Sequence, residues 1–512
     1  MAKRNPAMVV AFMLSASLAF SGGSAQQSAG GAAKTGEPLN ISVLASIWPP
    51  YEQTKTIFPE IEKATNTKLT IEWAPRDGYR DKISTILASG KLPDVIIITN
   101  PLDKEFLKNQ GAIIPLNDLL NKYAPNYLSK LKKEDYPFVR DISDGNMYFM
   151  SLLIDFPPSL STMVRQDWLD RCGLQAPKTW DDWLNMLRAF RDQDANGDGD
   201  KTNEIPYSGN IRHLQLAFGI KSESLFVIDD NGNYLSVFEH PAYIDFLTAM
   251  TGMYKEGLLD KEYVTRGLIS KLTDLFVIMD NGTLGSTVTF AERARLSTEV
   301  LRQKNPKATW TCVTPITGPK GVQLIPARSK FGGTMAVITV AGEKKAKQIV
   351  QVLDFFFGGA GEKLINYGVE GVHHKLVDGK PVLQSPYIDG FVEARKAGLI
   401  FQPFPFNWLK DNYMQILTNG KTYDQLTDTK KIFYRGLFLN EGYFNITPPT
   451  LSTEAYGKNG IEIMSKLEEL EAGVIFGRLS IDEFKARLAK IKTDGLDAIT
   501  KQGAEAWKRL NK

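Results

Sequence analysis

An α/β fold with parallel-rich sheets is expected from three features of this 512-residue chain. Strand-like and helix-like patterns alternate from residue 39 onward. Residues 95–99 form a continuous apolar run, as in a strand covered on both faces. The same alternation returns near residue 333. Strand–helix–strand–helix–strand in a short span is the pattern of a parallel sheet.

Taken in order, residues 39–46 alternate as a strand, 51–64 carry a helical period, and 68–73 form a second strand. Tyr79, Ile83, Ile86 and Leu87 share one face of a helix over 79–89 that Gly90 ends. Residues 95–99 follow as the third strand. Parallel sheets bind ligands outside the carboxyl ends of their strands. Trp48 and Tyr51 occupy one such end and Asn100 another. Thr179 and Asp182 form a capping box before Trp180, Trp183, Leu184, Leu187 and Phe190, a buried helical stripe. The apolar run 284–289 precedes Phe290 and Arg293. Residues 333–341 read as a buried strand, and 343–357 as a helix bearing Ile349, Val350, Leu353 and Phe356. From 455 onward the pattern is helical, with a second capping box at Ser480 and Glu483. No internal repeat is present.

Composition narrows the function classes. Hydrophobic content of 43% and charged content of 23% are those of a globular protein. A net charge of +3, from 61 basic and 58 acidic residues, argues against nucleic-acid binding. Lys3 and Arg4, the apolar stretch 8–20 and the small residues 21–25 read as a signal peptide over 1–25. That stretch is too short for a spanning helix, which needs about 20 residues. Residues 26–38 read as a flexible leader. The arrangement resembles a bacterial lipoprotein, but Gly23 stands where a lipid-bearing Cys belongs. An exported protein, periplasmic or at the cell surface, is expected, anchored only if position 23 were Cys. Cys172 and Cys312 read as two buried thiols rather than a disulfide.

Residues 194–206 (DANGDGDKTNEIP) place Asp194, Asn196 and Asp198 at the first, third and fifth positions of a calcium-type loop. Gly199 falls at the sharp turn, and Asp200 offers a backbone carbonyl. Glu204 falls one place early for an EF-hand, and Pro206 prevents a second helix from starting at Ile205. The segment reads as helix, loop, strand. Asp, Asn and Gly also make ordinary solvated turns, so both readings stand on spacing alone.

Tyr79 through Asp94 (YRDKISTILASGKLPD) resembles the N-lobe signature of bacterial family 1 extracellular solute-binding proteins. Arg165 to Asp170, Pro177 to Trp183, the Asp-rich loop and Glu204-Ile205-Pro206 are similar to the long-chain, oligosaccharide-binding members, alginate-binding proteins included. The resemblance implies two α/β lobes, each with a parallel-rich sheet, closing on ligand by a hinge, and a helical C-terminal extension. The first lobe is expected over 39–150 with a return over 325–370, and the second over 151–324 and 371–512. A structural calcium is implied in loop 194–204, held by Asp194, Asn196, Asp198, Asp200, Asn203 and Glu204. This loop is one residue longer than the family's. The implied role is a monomeric receptor that hands an oligosaccharide to an ABC transporter permease.

A sugar cleft needs flat rings and a few placed polar groups. Candidates by position are Trp48, Tyr51, Arg76 (with Asp77 and Tyr79), Asn100, Arg165, Phe290, Arg293, Asn407 and Trp408. Trp180 and Trp183 are assigned to the core, and His373-His374 to a surface hairpin. The competing classes are a secreted glycoside hydrolase and a surface carbohydrate adhesin. No Gly-x-Ser-x-Gly, His-Glu-x-x-His or P-loop pattern supports an enzyme. Four histidines leave little acid–base capacity near neutrality.

Overall fold

The computed structural model describes residues 37–47, 57–75, 78–141, 143–155, 160–266, 272–327, 330–400, 403–440, 442–446 and 453–510. Strands β1 (Leu39–Ile47), β2 (Thr67–Pro75) and β3 (Val95–Ile98) are linked by helices Phe58–Thr65 and Tyr79–Ser89. β1 pairs in parallel with β2 on one side and with β3 on the other. β3 is at most 2% exposed throughout. A run this apolar requires cover on both faces of its sheet.

The chain then runs through β4 (Met150–Asp155), β5 (Leu160–Arg165), β6 (Ile205–Tyr207), the hairpin β7 (Phe226–Ile228) and β8 (Tyr234–Ser236), and β9 (Leu284–Phe290). There follow β10 (Trp310–Val313), β11 (Ile325–Ala327), β12 (Phe331–Ile338), the hairpin β13 (His374–Val377) and β14 (Lys380–Leu383), β15 (Asn407–Leu409) and β16 (Phe444–Ile446). The first sheet has the order β15-β4-β12-β3-β1-β2, and only β12 runs against its neighbours. The second has the order β10-β5-β9-β6. Here the expectation of a parallel-rich sheet needs correction. Both neighbours of β5 are antiparallel to it, and β6–β9 is the one parallel pairing. β5 enters straight from the first sheet, without the helical crossover that a parallel neighbour requires.

The first sheet anchors one core and the second sheet borders two, the smaller of them built on Met163, Leu284 and Trp310. The first core gathers β1, β3, β4 and β12 with their helices. The second packs Trp168, Trp183, Phe190, Tyr207 and Phe246 with the C-terminal helices Glu454–Ile475, Ile481–Ile491 and Asp497–Leu510. Trp180 is 7% exposed and Trp183 fully buried, as core residues. First-core membership extends beyond the stretch 325–370: Leu383, Leu399, Phe404, Phe406, Phe433 and Leu437 also belong to it. β15 covers the flank of β4, which would otherwise present an open sheet edge. The expected helix 343–357 opens as 3-10 turns over Val340–Lys345 and becomes α-helical over Ala346–Phe355. Both expected capping boxes form, at Thr179–Asp182 and Ser480–Glu483. Cys172 and Cys312 are free thiols, half-buried rather than fully buried.

His373 and His374 do lie at a hairpin, but their side chains are buried, at 0% and 1% exposure. They are not surface residues. The turn Val369–Val372 folds the chain back so that the Val369 N–H donates to His373 Nδ1 at 3.0 Å. His374 Nδ1 lies 3.0 Å from the Tyr367 carbonyl. Burial lowers both pKa values, and His373 Nδ1 must stay unprotonated to accept from the Val369 N–H. Unfolded histidine titrates near about 6.5. Protonation therefore favours the unfolded chain, and this contribution, present above that pH, is lost as pH falls below it. Tm is expected to drop more steeply in that window for the wild type than for His373→Asn, whose side-chain oxygen can still accept from Val369. Parallel Tm–pH profiles would refute the assignment.

Candidate functional site

A short stretch of chain links the carboxyl edges of the two sheets. β4 runs with β1, β2, β3 and β15, so Asp155 lies on the carboxyl edge of the first sheet. Five residues later Leu160 opens β5, paired with Phe290, the last residue of β9. Val313, the last of β10, pairs with Thr162 on the same edge. Phe331, the first residue of β12, pairs with Leu153 at the carboxyl end of β4. The passage from β4 to β5 is short, so at most about 18 Å separates Asp155 from Leu160, at about 3.6 Å per residue. Open α/β sheets bind ligands in the crevice outside such carboxyl edges.

Trp48, Tyr51 and Arg76 lie outside the described residues. Asn100 is exposed just past β3, where its carbonyl accepts from the Asp103 N–H at 2.9 Å. Phe290 is half-buried at the end of β9 and precedes helix Ala291–Leu301. Arg293 turns to its own lobe, paired with Asp280 and with its guanidinium 4.6 Å from the Phe276 ring centre.

Four candidates are structural. Arg165 is buried; it donates to both carboxylate oxygens of Asp167, at 2.9 and 2.7 Å, and to the Gly282 carbonyl at 3.0 Å. Trp408 is 3% exposed, gives its indole N–H to Asn412 at 2.9 Å, and packs against Phe391 and Tyr413. Its ring is core, not an exposed sugar platform. Asn407 donates to Glu362 at 2.7 Å and is 6% exposed. Tyr79 is 5% exposed and its hydroxyl donates to the Ile97 carbonyl at 2.7 Å, while burial raises its pKa.

Other residues occupy these edges without a sequence signal. Phe331 stacks on Phe138 with centroids 5.7 Å apart at the mouth of β12. Ser208, after β6, donates to Asp260 at 2.6 Å. The buried Thr287 hydroxyl has no hydrogen-bond partner and sits tight against Gly209, whose φ of +130° suits glycine. In sequence, Thr287 reads as one more β-branched strand residue.

Loop 194–204 follows the helix Trp180–Asp192 and leads into β6, as its sequence requires. Its carboxylates are held by its own amides. Asp194 accepts from Gly197 and Gly199 N–H at 2.9 and 3.1 Å. Asp198 accepts from the Asp200 N–H at 2.8 Å and from the Asn203 side chain at 2.7 Å. Asn196 donates to Asp198 and Asn203 at 3.0 and 2.7 Å. Asp200 accepts from the Thr202 N–H at 2.9 Å. Among the described residues, no three His, Cys, Asp or Glu side chains converge as a preassembled ligand set. Glu204 is the exception to the loop's self-sufficiency. Both its carboxylate oxygens are buried with no side-chain partner; only the backbone of Ala195, Asn196 and Glu204 itself lies beside them, and burial raises its pKa. A buried carboxylate that no side chain neutralises, beside an oxygen-rich loop, fits a hard cation.

The profile of the bacterial extracellular solute-binding proteins matches residues 46–363. The chain belongs to this family. It is 26% identical to lipoprotein LipO of Bacillus subtilis (strain 168), over 88% of this chain and 87% of that one. It is 29% identical to the fructooligosaccharide ABC transporter substrate-binding protein FusA of Streptococcus pneumoniae, over 46% of this chain and 48% of that one. Among solved structures, the alginate-binding protein AlgQ2 without calcium ion superposes with a TM-score of 0.71 at 22% identity, covering 93% of this chain and 99% of that one. An EF-hand mutant of FusA in complex with fructo-nystose does so with a TM-score of 0.68 at 20% identity, covering 92% and 99%. The fold is the two-lobed one of solute-binding proteins.

Arg165→Ala should cost about 3 kcal/mol of stability, because it strands the Asp167 carboxylate and the Gly282 carbonyl. Ligand affinity of the folded fraction should be unchanged. Calorimetry reads both, and a variant that weakens binding at unaltered Tm would return Arg165 to the crevice.

Proposed function

We propose that this protein is an exported receptor that captures an oligosaccharide between its lobes and delivers it to an ABC transporter permease. The observation that carries this is that the carboxyl edges of two sheets are linked by a short stretch of chain, in a chain of the solute-binding family. LipO, named a lipoprotein, and the sugar specificity in FusA's name support an extracytoplasmic sugar receptor. Among the described residues no helix is long and apolar enough to cross a membrane. Lobe closure on the ligand would present one face to the permease. The reading includes no catalysis: the cleft binds and releases its sugar unchanged.

A thermal-shift screen against neutral and acidic oligosaccharides should give one class that raises Tm, through preferential binding to the native state. Its Kd is expected on the order of micromolar or below, about 8 kcal/mol of binding free energy. A shortened sugar recovered after incubation would replace the receptor with a hydrolase. No shift with any sugar would remove the carbohydrate reading.

Loop 194–204 is proposed to hold a structural calcium, with Asp194, Asn196, Asp198, Glu204 and the Asp200 carbonyl as ligands and Asn203 close by. The ion would neutralise Glu204 and tie helix Trp180–Asp192 to β6. At hundredfold excess over Kd, calcium should add about 2.7 kcal/mol to stability. Glu204→Gln should raise the Tm of the metal-free protein, by removing a buried charge, and abolish the calcium-dependent increase. A Tm indifferent to both calcium and chelator would leave a plain Asp-rich turn.

A further inference from the structure

We propose that a row of rings on helix Asp428–Phe438 and the turn before it forms an outer subsite for acidic sugar chains, an inference that rests on the oligosaccharide reading above. Tyr423 lies 5.2 Å from Tyr434, and Tyr434 lies 4.8 Å from Phe438, centroid to centroid. Tyr423 is 36% exposed, and the other two rings are half-buried. The row has a definite place. Lys410 directly follows β15, whose last residue Leu409 pairs with Asp155 on the crevice edge. Its ammonium sits 5.5 Å above the Phe438 ring. The row therefore starts at the crevice edge and leads away from it along the helix.

Charge selects the ligand. The Lys431 ammonium lies 5.5 Å above Tyr423, as Lys410 does above Phe438. Among the described residues neither lysine pairs with a carboxylate. Lys431 reaches only the Asp424 carbonyl and Arg435 only the Lys431 carbonyl. The one acidic side chain at the start of the helix, Asp428, is already engaged by Arg302. Half-buried Lys430 has a lowered pKa, first from burial and then from Arg295 and Lys421, with Glu299 and Asp389 acting the other way. Along the row itself, Lys410, Lys431 and Arg435 outnumber the exposed Asp424 of the turn, which leaves it net positive. A pyranose ring offers an apolar face to an aromatic ring, and a uronate carboxylate offers the anion that two uncompensated ammonium groups lack. Rings alone would suit any sugar. Rings with unpaired cations favour a carboxylated one.

The test is titration calorimetry of the full chain with galacturonate disaccharide and octasaccharide, with neutral maltooligosaccharides of the same lengths as controls. The acidic octasaccharide should bind the wild type about tenfold tighter than the disaccharide, in a salt-sensitive way. Tyr423→Ala and Lys431→Gln, both at the exposed end of the row, should remove that gain while the disaccharide Kd and the Tm stay put. A gain that survives both substitutions overturns the proposal. So does an equal gain for the neutral octasaccharide, or disaccharide binding weakened by the variants. If only neutral sugars bind the wild type, the acidic subsite falls and the receptor stands. If no sugar binds, both fall.

Discussion

Everything in the first lobe hangs on the Asp94 carboxylate. It is 4% exposed and accepts from Ser42 N–H and Oγ, at 2.8 and 2.9 Å, and from the Lys345 ammonium at 2.9 Å. Its carbonyl accepts from the Thr339 N–H at 3.0 Å. One residue thus ties β1, the start of β3 and the end of β12, which is more than 240 residues away in sequence. Gly342 lies so close that a Cβ there would come within 2.5 Å of the Asp94 carbonyl oxygen. The register of β12 is fixed by this anchor together with the Thr339 hydroxyl on the Pro93 carbonyl and the Ile114 N–H on the Ile338 carbonyl.

The register of β12 matters because β12 and β4 both carry the chain between lobes. β4 leads out to β5, β12 brings the chain back, and β11 just before it pairs with β16. The helix Asp428–Phe438 also joins the two sides, because its Phe433 and Leu437 belong to the first core while its Ile432 packs with Met163 and Trp310 of the second sheet. The crossings of β4 and β12 explain the odd strand in each sheet. β5 and β12 run against their neighbours because each enters its sheet directly from the other lobe.

Much of the architecture was legible in the residues. The buried run of β3, the stripes of helices Tyr79–Ser89 and Trp180–Asp192, and both capping boxes are local patterns that local physics enforces. The helix–loop–strand order around Asp194 was equally plain, because Pro206 forbids the alternative. The aromatic candidates were not. Trp408 and Tyr79 follow or precede strand ends just as a ligand platform would, and in both the decisive fact is a partner distant in sequence or space. For Tyr79 it is the Ile97 carbonyl, and for Trp408 the packing of Phe391 and Tyr413 around its ring. Arg165 was ambiguous for the same reason. Its Asp167 partner is two residues away, but its burial depends on Gly282 and Trp310.

By itself, then, the sequence determined the α/β class, the strands and helices of the first lobe, and the oxygen-rich loop. Periodicity, capping and turn chemistry act over a few residues, and no distant contact can override them all at once. Tertiary structure alone decided which strand runs against its sheet, that His373 and His374 are buried, that the Glu204 carboxylate is buried with no side-chain partner, and which rings face solvent. Burial is a property of what packs against a residue, and the packing partners here lie on strands and helices far away in the chain.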